Sequence, residues 1–421
     1  MEECIKEKIK DSIQETRLRR QTQKCRSVEL KLDKSKMSKS TYKDLKFMFT
    51  QCKWLYNYLL NLSKVELKEF DTKTRNIYSL DKDGNKVERI LTIPATVIQT
   101  VYSTLKQNLK SLSSSKKKGR KIGKLKYKSE YNAIEFKQYN VTHYIKGKKV
   151  KIAGFKPLNA FGTVQIKPSW ELADAKLILK PSGIYLKQTC YENLILKDTN
   201  KHNQVYKEVG LDYGIKTNIT TSENEQFNVM IEESERLKGL QRKKARQIKG
   251  SNNYNKTRLK LQMEYEKLTN HKNDVANKLV HYLCSTYSTV YMQDEMIGNW
   301  HKGLFGKQVQ HSILGRVKSK LNEQNNVRVI DKSYPTTKLC YNCGTLHKDI
   351  TLDDRTFVCP SCGFTEERDL KAAKTVLFIG QCKNTYAVTG HNSTTVEQMS
   401  DFLASYEAKK LSVKACRPKT A

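Results

Sequence analysis

The sequence predicts a bilobed α/β protein. One lobe is built round a small antiparallel β-barrel interrupted by helices, the other round an α/β sheet that carries a cysteine hairpin. Three observations predict this. Short alternating segments recur from Ala133 to about Leu196, with turns at Gly and Pro ("AIEFKQYNV", "KKVKIAG", "TVQIKP", "AKLILKPSGIYLKQTCY"). After Val205 the pattern becomes strand, turn, strand, strand, then long helices, then further strands. Between Thr336 and Val376, two CxxC pairs run straight into a helix-like stretch led by Asp369.

The chain of 421 residues is long enough for two or three domains with real cores. Lys and Arg outnumber Asp and Glu by 78 to 43, a net charge of +35. Self-repulsion at that charge costs stability, so a polyanionic partner is expected. No run of about 18 apolar residues occurs, and the first residues alternate in charge without an apolar core. A cytoplasmic, nucleoid-associated protein with reduced thiols is therefore expected. Of eleven Cys, seven are scattered (Cys4, Cys25, Cys52, Cys190, Cys284, Cys382 and Cys416), which argues against a disulfide scaffold.

Taken in order, residues 1–24 read as a charged, frayed extension and Cys25–Ser35 as a strand. From Ser40, residues Leu45, Met48, Phe49, Cys52, Leu55, Tyr56, Leu59 and Leu60 fall at three-and-four spacing, which predicts an amphipathic helix. Asp81–Lys86 reads as a hairpin turn, and Pro94–Leu112 as a helix with Pro in its first turn. Ser113–Ser129 follows with Lys116, Lys117, Lys118, Arg120, Lys121, Lys124, Lys126 and Lys128, two Gly and no acid. A solvated linker would explain this charge run. The aromatic Tyr127 and the strand that follows at once favour a loop gripping a phosphate backbone.

In the second lobe, "YKEVGLDYGIKTNITTSENEQFNVM" predicts three strands, and Glu232–Tyr287 a helical hairpin broken near Gly250–Asn255. "STVYMQDEM" predicts a buried strand, "GKQVQHSILGRVKSKLNEQ" one helix, and "VRVIDKS" a last strand. This is the element order of an RNase H-like core.

Cys340, Cys343, Cys359 and Cys362 have the spacing of a tetrathiolate zinc site, each pair followed by a glycine. Four protein ligands leave no open position, so one structural Zn²⁺ is expected. His347, in the intervening loop, reads as a surface residue. Asp212 and Glu295 stand at strand ends and Asp369 in a first helical turn. Each alone would pass as a turn residue, a solvated terminus or helix-dipole compensation. Together they match two-metal phosphoryl chemistry, which needs carboxylates converging on hard cations about 4 Å apart. An RNase H-like core draws such acids from its first strand, a later central strand and a C-terminal helix, the order Asp212, Glu295, Asp369.

"GLDYGIKTNIT", "VYMQDEMIGNW" and "SYPTTKLCYNCG…FVCPSCGFTEERDLKAAKTVL" resemble the three RuvC motifs and the zinc ribbon of TnpB proteins and compact type V CRISPR effectors. "FTQCKWLYNYLL", "IPATVIQTVYSTL" and "KKGRKIGKLKYKS" are similar to that family's recognition helices and basic wedge stretch, and "LSVKACRPKTA" resembles TnpB C-termini. The resemblance implies an RNA-guided DNA endonuclease. A guide RNA pairs with target double-stranded DNA beside a short adjacent motif, and one RuvC site, with Asp212, Glu295 and Asp369 as its acids and two Mg²⁺, cuts the DNA. The sequence departs from the family twice. Gln293-Asp294-Glu295 replaces the common Glu-Asp-Leu, which leaves Asp294 as an alternative to Glu295, and Lys371 stands where an Asn is often found. Arg368 is retained and joins the expected nucleic-acid contacts.

The resemblance divides the chain into an extension (1–24), first wedge strands (25–40), a helical recognition segment (41–125), a wedge β-barrel (126–204), the RuvC core (205–335), the zinc-ribbon insertion (336–366), the third RuvC motif (367–380) and a tail (381–421). Transposon or CRISPR origin, and monomer or homodimer, stay open. So do two other functions on this scaffold: an RNA-guided repressor without cleavage, and a transposase or resolvase acting without RNA.

Overall fold

A computed structural model describes residues 2–80, 84–193, 207–347, 350–351 and 354–388. The centre of the turn expected at Asp81–Lys86, the end of the 126–204 segment and the tail "LSVKACRPKTA" lie outside these residues. The chain forms two compact units, residues 1–198 and 199–421. Among the described residues no helix is long and apolar enough to cross a membrane.

The first unit opens on helix α1 (Glu2–Gln21), where a frayed extension was expected. Its last turn is pinned: Arg20 forks onto the Glu171 carboxylate at 2.8 and 3.0 Å and lies over the Tyr191 ring. Strand β1 (Gln23–Leu32) follows. Helix α2 (Lys39–Asn61) starts on Ser38, whose hydroxyl accepts from the Thr41 amide. The predicted stripe faces inward, with Leu45, Met48, Phe49, Cys52, Leu55, Tyr56 and Leu59 buried. After the short α3 (Lys64–Glu69), β2 (Asn76–Leu80) and β3 (Lys86–Ile90) pair antiparallel. Pro94 caps α4 (Ala95–Lys117) rather than lying inside it.

The remaining strands are β4 (Ala133–Phe136), β5 (His143–Lys146), β6 (Lys149–Ile152), β7 (Leu158–Phe161), β8 (Glu171–Lys180) and β9 (Gly183–Asn193). They join β1 in one sheet of order β4-β8-β9-β1-β7-β6-β5. Its edges approach through a bridge between Tyr139 and His143, so the sheet nearly closes on itself. Val28, Leu30, Leu177 and Leu186 of the sheet share a core with the buried faces of α2 and α4.

The second unit holds β10 (Glu208–Tyr213), β11 (Ile219–Thr221), β12 (Gln226–Phe227), α5 (Glu235–Ala245), α6 (Asn252–Thr286) and β13 (Thr289–Gln293). Then come α7 (Ile297–Trp300), α8 (Gly306–His311), α9 (Leu314–Leu321), β14 (Val327–Ile330), the hairpin strands β15 (Thr356–Val358) and β16 (Thr365–Glu367), and α10 (Arg368–Val388). The sheet order is β12-β11-β10-β13-β14, with β10, β13 and β14 parallel, β11 antiparallel to β10 and β12 antiparallel to β11. This is the RNase H-like arrangement. The single helix expected over 306–324 is two, because the chain breaks at Ser312–Ile313, where the Ser312 hydroxyl turns back onto the Val309 carbonyl.

Strand alternation sends Val209, Leu211, Val290 and Met292 to one face, against α6 and α9. The opposite face receives α10. A Cβ on Gly210 would meet the Ala373 carbonyl oxygen at 2.2 Å and the Leu377 amide at 2.6 Å, so only glycine lets the two backbones touch. Gly380 faces the Tyr291 ring in the same way, with a Cβ falling 2.1 Å from it. Gly210→Ala is therefore expected to push α10 off the sheet and cost about 1–3 kcal/mol. Thermal unfolding of the variant against wild type measures this, and an unchanged midpoint would contradict so close a contact.

Candidate metal and nuclease centre

The register of α10 on β10 builds the acidic site. Gln381 donates to Glu208 at one end of the strand, and Ala373 and Leu377 cross Gly210 in the middle. Helix and strand run in opposite directions, so one turn before Ala373 and two residues beyond Gly210 bring Asp369 to Asp212. β13 lies beside β10 with Leu211 opposite Met292, which puts Glu295 just past the end of the neighbouring strand.

The electrostatics report this convergence. Burial pushes the Asp212 carboxyl up to about 8, and the negative charges of Asp369 and Glu295 add to the rise. Arg368 opposes it; its guanidinium lies 3.4 Å from an Asp369 carboxylate oxygen and donates to the Asp354 carbonyl. Glu295 is also raised, chiefly by burial, with Lys318 and Lys332 pulling it back. Asp294 is different. Its side chain is 60% exposed and bonded to Lys318 at 2.6 Å; its charge adds to the rise at Glu295, while the rise at Asp212 comes chiefly from burial, Asp369 and Glu295. The same Lys318 ammonium donates to the Glu295 carbonyl and fixes the turn that aims Glu295 inward. The structure thus brings Asp212, Glu295 and Asp369 together and leaves Asp294 outside. A buried carboxyl whose proton is held well above its usual value by burial and by two further carboxylates suits hard divalent cations.

Gln293, where the family commonly has Glu, is buried. Its amide donates to the Asp331 and Tyr334 carbonyls and its oxygen accepts from the Thr336 hydroxyl. It holds the chain entering the cysteine hairpin.

The four cysteine sulfurs all lie within 4.8 Å of one another, with Cys343 to Cys359 at 3.6 Å and Cys340 to Cys362 at 3.9 Å. A thiolate tetrahedron with Zn–S bonds of about 2.3 Å has edges of about 3.8 Å, so the donor set fits zinc. The two knuckles are alike. The Gly344 amide bonds the Cys340 carbonyl, and the Gly363 amide the Cys359 carbonyl, each at 2.8 Å. Both glycines take positive φ, +75° and +72°, as the turns require. His347 corrects the surface reading. It is buried, with Nε2 3.2 Å from the Cys359 sulfur and its ring edge-on to Phe357. Its place four residues after Cys343 was the signal available in the sequence.

Lys371, the second departure, is wholly buried. Its ammonium donates to the Thr336 and Thr337 carbonyls and sits 4.0 Å over Phe357. Nothing in the amphipathic pattern of its helix marks it as a core residue.

In the basic stretch, Lys116 and Lys117 end α4, and Lys118, Arg120, Lys121, Lys124 and Lys126 are exposed. Lys128 is drawn inward. Its ammonium lies over the rings of Tyr56 and Tyr131, and its backbone is bonded twice by Asn57. With Leu125 packed on the core, the loop is fastened at its end while its cations stay in solvent.

Two family models match. A model described as "Cas12f1-like, TNB domain" covers residues 311–376, and one described as "Probable transposase" covers residues 188–301. Between them these segments contain all three acids and all four cysteines. Over these segments the chain is similar to the Cas12f1-like and transposase families. A Streptomyces pristinaespiralis protein named "Putative RNA-guided DNA endonuclease" is 30% identical over 181 residues, 41% of this chain and 45% of its own. Its Escherichia coli (strain K12) counterpart "Putative RNA-guided DNA endonuclease InsQ" is 26% identical over 196 residues, 41% of this chain and 48% of its own. The chain thus spans a little under half the length of the curated relatives it matches. Among solved structures, a chain of the Cas12f1–sgRNA–target DNA complex aligns with 84% of this chain and 99% of its own, at 12% identity and TM-score 0.46. CasPhi-2 (Cas12j) bound to crRNA aligns over 85% and 98%, at 10% identity and TM-score 0.47.

The Asp212 shift carries a pH prediction for protein dialysed free of Mg²⁺. The folded chain keeps the Asp212 proton up to about pH 8, while the unfolded chain releases it near the ordinary 3.8. The folded state binds more protons in that window, so its stability falls as pH rises through it. Asp212→Asn should remove this decline and unfold at a higher temperature than wild type at pH 8. Parallel unfolding profiles from pH 6 to 8 would contradict the burial and repulsion described.

The basic loop is tested by salt. Replacing Lys116, Lys117, Lys118, Arg120 and Lys121 with Ala should weaken nucleic-acid binding and leave its sequence preference unaltered. The log–log salt dependence should flatten by roughly one unit for each phosphate that the loop no longer neutralises. Equal slopes for variant and wild type in a salt titration would make the loop a connector.

Proposed function

We propose that the chain is an RNA-guided DNA endonuclease in which Asp212, Glu295 and Asp369 are the catalytic acids. The observation that carries this is the convergence of three carboxylates from β10, the turn after β13 and the first turn of α10, beside a tetrathiolate hairpin. The names of the curated relatives support the same reading. Guide RNA and target double-stranded DNA beside a short motif are the partners. Sequence is read by base pairing, and the protein supplies backbone grip and a small motif reader.

When bound, two Mg²⁺ would supply activation of the attacking water and neutralisation of the leaving oxygen. Asp212, Glu295 and Asp369 would hold them. Arg368, paired with Asp369, would place a positive charge beside the bound phosphate. Lys318 keeps Asp294 turned away and Glu295 turned in. A single Zn²⁺ held by Cys340, Cys343, Cys359 and Cys362 would have all its positions filled by protein and would be structural. The proposed domain assignment places a wedge barrel and recognition helices before residue 205 and the RuvC core with its ribbon after it.

Sequencing RNA that co-purifies with the protein, then assaying Mg²⁺-dependent cleavage of matching DNA, tests the proposal. Asp212→Ala and Glu295→Ala should each abolish cleavage while target binding stays nearly intact, and Asp294→Ala should leave most activity. No bound RNA, together with cutting of unguided DNA, would favour a transposase-like nuclease. Guided binding without cleavage by wild type would favour a repressor.

A further inference from the structure

We propose that Lys371 is a positioning residue that ties the cysteine hairpin to the acidic site. It would do so through Thr336, so that metal in the hairpin sets the geometry of Asp369 and Glu295. The proposal rests on the reading of those acids as metal ligands. Lys371 lies two residues after Asp369 on α10 and has no exposed surface. An ammonium has three protons, and each faces an acceptor here. Two meet the carbonyls of Thr336 at 3.0 Å and Thr337 at 2.8 Å, and the third side faces the Phe357 ring at 4.0 Å.

Both groups it holds belong to the hairpin. Thr336 and Thr337 lead directly into Cys340, and Phe357 on β15 packs against Cys340 and Cys359. Phe357 also meets the ring of His347, whose Nε2 reaches the Cys359 sulfur. Thr336 is a junction. Its carbonyl takes the Lys371 proton, and its hydroxyl donates at 3.0 Å to Gln293, two residues before Glu295. One buried residue therefore fixes the helix that bears Asp369 and the strand end that bears Glu295. All of these bonds lie between thiolates and carboxylates.

The geometry assigns a direct role to a substitution that looks like a loss. An Asn at this position would be too short to span from α10 to both threonine carbonyls, whereas the four-carbon stem of Lys reaches them. Lys371→Met keeps the stem and its volume and removes every proton donor.

The test measures Mn²⁺ binding to the full chain by titration, alongside zinc content. Mn²⁺ is a hard ion that prefers carboxylates to thiolates, so it reports the acidic site. Lys371→Met is expected to keep one zinc per chain and to bind Mn²⁺ about tenfold or more weaker than wild type, the scale on which groups supporting a metal ligand act. Stripping zinc with a chelator, then removing the chelator, should weaken Mn²⁺ binding in wild type but add little in Lys371→Met, since the link is already cut. Thr336→Val, which keeps the carbonyl and removes the hydroxyl, should give an intermediate loss and stands in if Lys371→Met does not fold. Mn²⁺ affinity equal to wild type in the folded variants, or an equal further loss on zinc removal in both proteins, would overturn the coupling. Asp212→Asn separates the two readings: if wild-type Mn²⁺ binding survives that change, the acidic-site assignment fails, whatever Lys371 does.

Discussion

Helix α10 touches strand β10 backbone to backbone at Gly210, and the rest of the second unit is arranged round that contact. A side chain there would lift the helix by the width of a methyl group or more. Asp369 would then stand away from Asp212, and both the burial that chiefly raises the Asp212 carboxyl and the repulsion that adds to it would lessen. Gly380 repeats the device lower down, where the Tyr291 ring fills the space a Cβ would need. The buried Val376, Ile379 and Cys382 then close the layer against Ile330 and Tyr334. Apolar packing supplies the cohesion, and two missing Cβ atoms set the register.

That register also explains why a cysteine hairpin runs directly into an acidic residue in a strongly basic chain. β16 ends at Glu367 and α10 begins at Arg368, so the hairpin delivers its last residue to the start of the helix that carries Asp369. The entry to the hairpin is held from both sides, by Gln293 from the sheet and by Lys371 from the helix. An insertion of this kind would otherwise swing on its two connections. Here its root is bonded into the sheet and helix that bear the acids.

Charge is distributed to suit a polyanion. The overall excess is +35, yet the acids are gathered at one end of a parallel strand pair, and exposed cations crowd the stretch after α4. Arg368 and Lys318 belong to the second unit with the acids. Each is a cation placed beside the acids without entering the cluster: one shares charge with Asp369, the other holds Asp294 aside. An acidic cluster favours hard cations, and an excess of positive charge elsewhere favours a polyanion.

Much of this was legible in one dimension, because it is written in periodicity and spacing. The stripe of α2, the alternating barrel strands, the two CxxC pairs and the succession of strands and helices in the nuclease-like core each depend on neighbours a few residues apart. What the sequence by itself determined was therefore most of the elements, the four thiolates and the candidate acids. Only the tertiary structure separates the surroundings of Asp294 and Glu295, one exposed and paired with Lys318, the other half-buried after β13, since that depends on Lys318 from α9. Tertiary packing also buried His347 against a thiolate and Lys371 against Thr336, made α1 a helix by way of Glu171 and Tyr191, and broke the helix at Ser312. These outcomes rest on partners far along the chain. A polar side chain carries no local mark of whether water or a distant carbonyl will satisfy it.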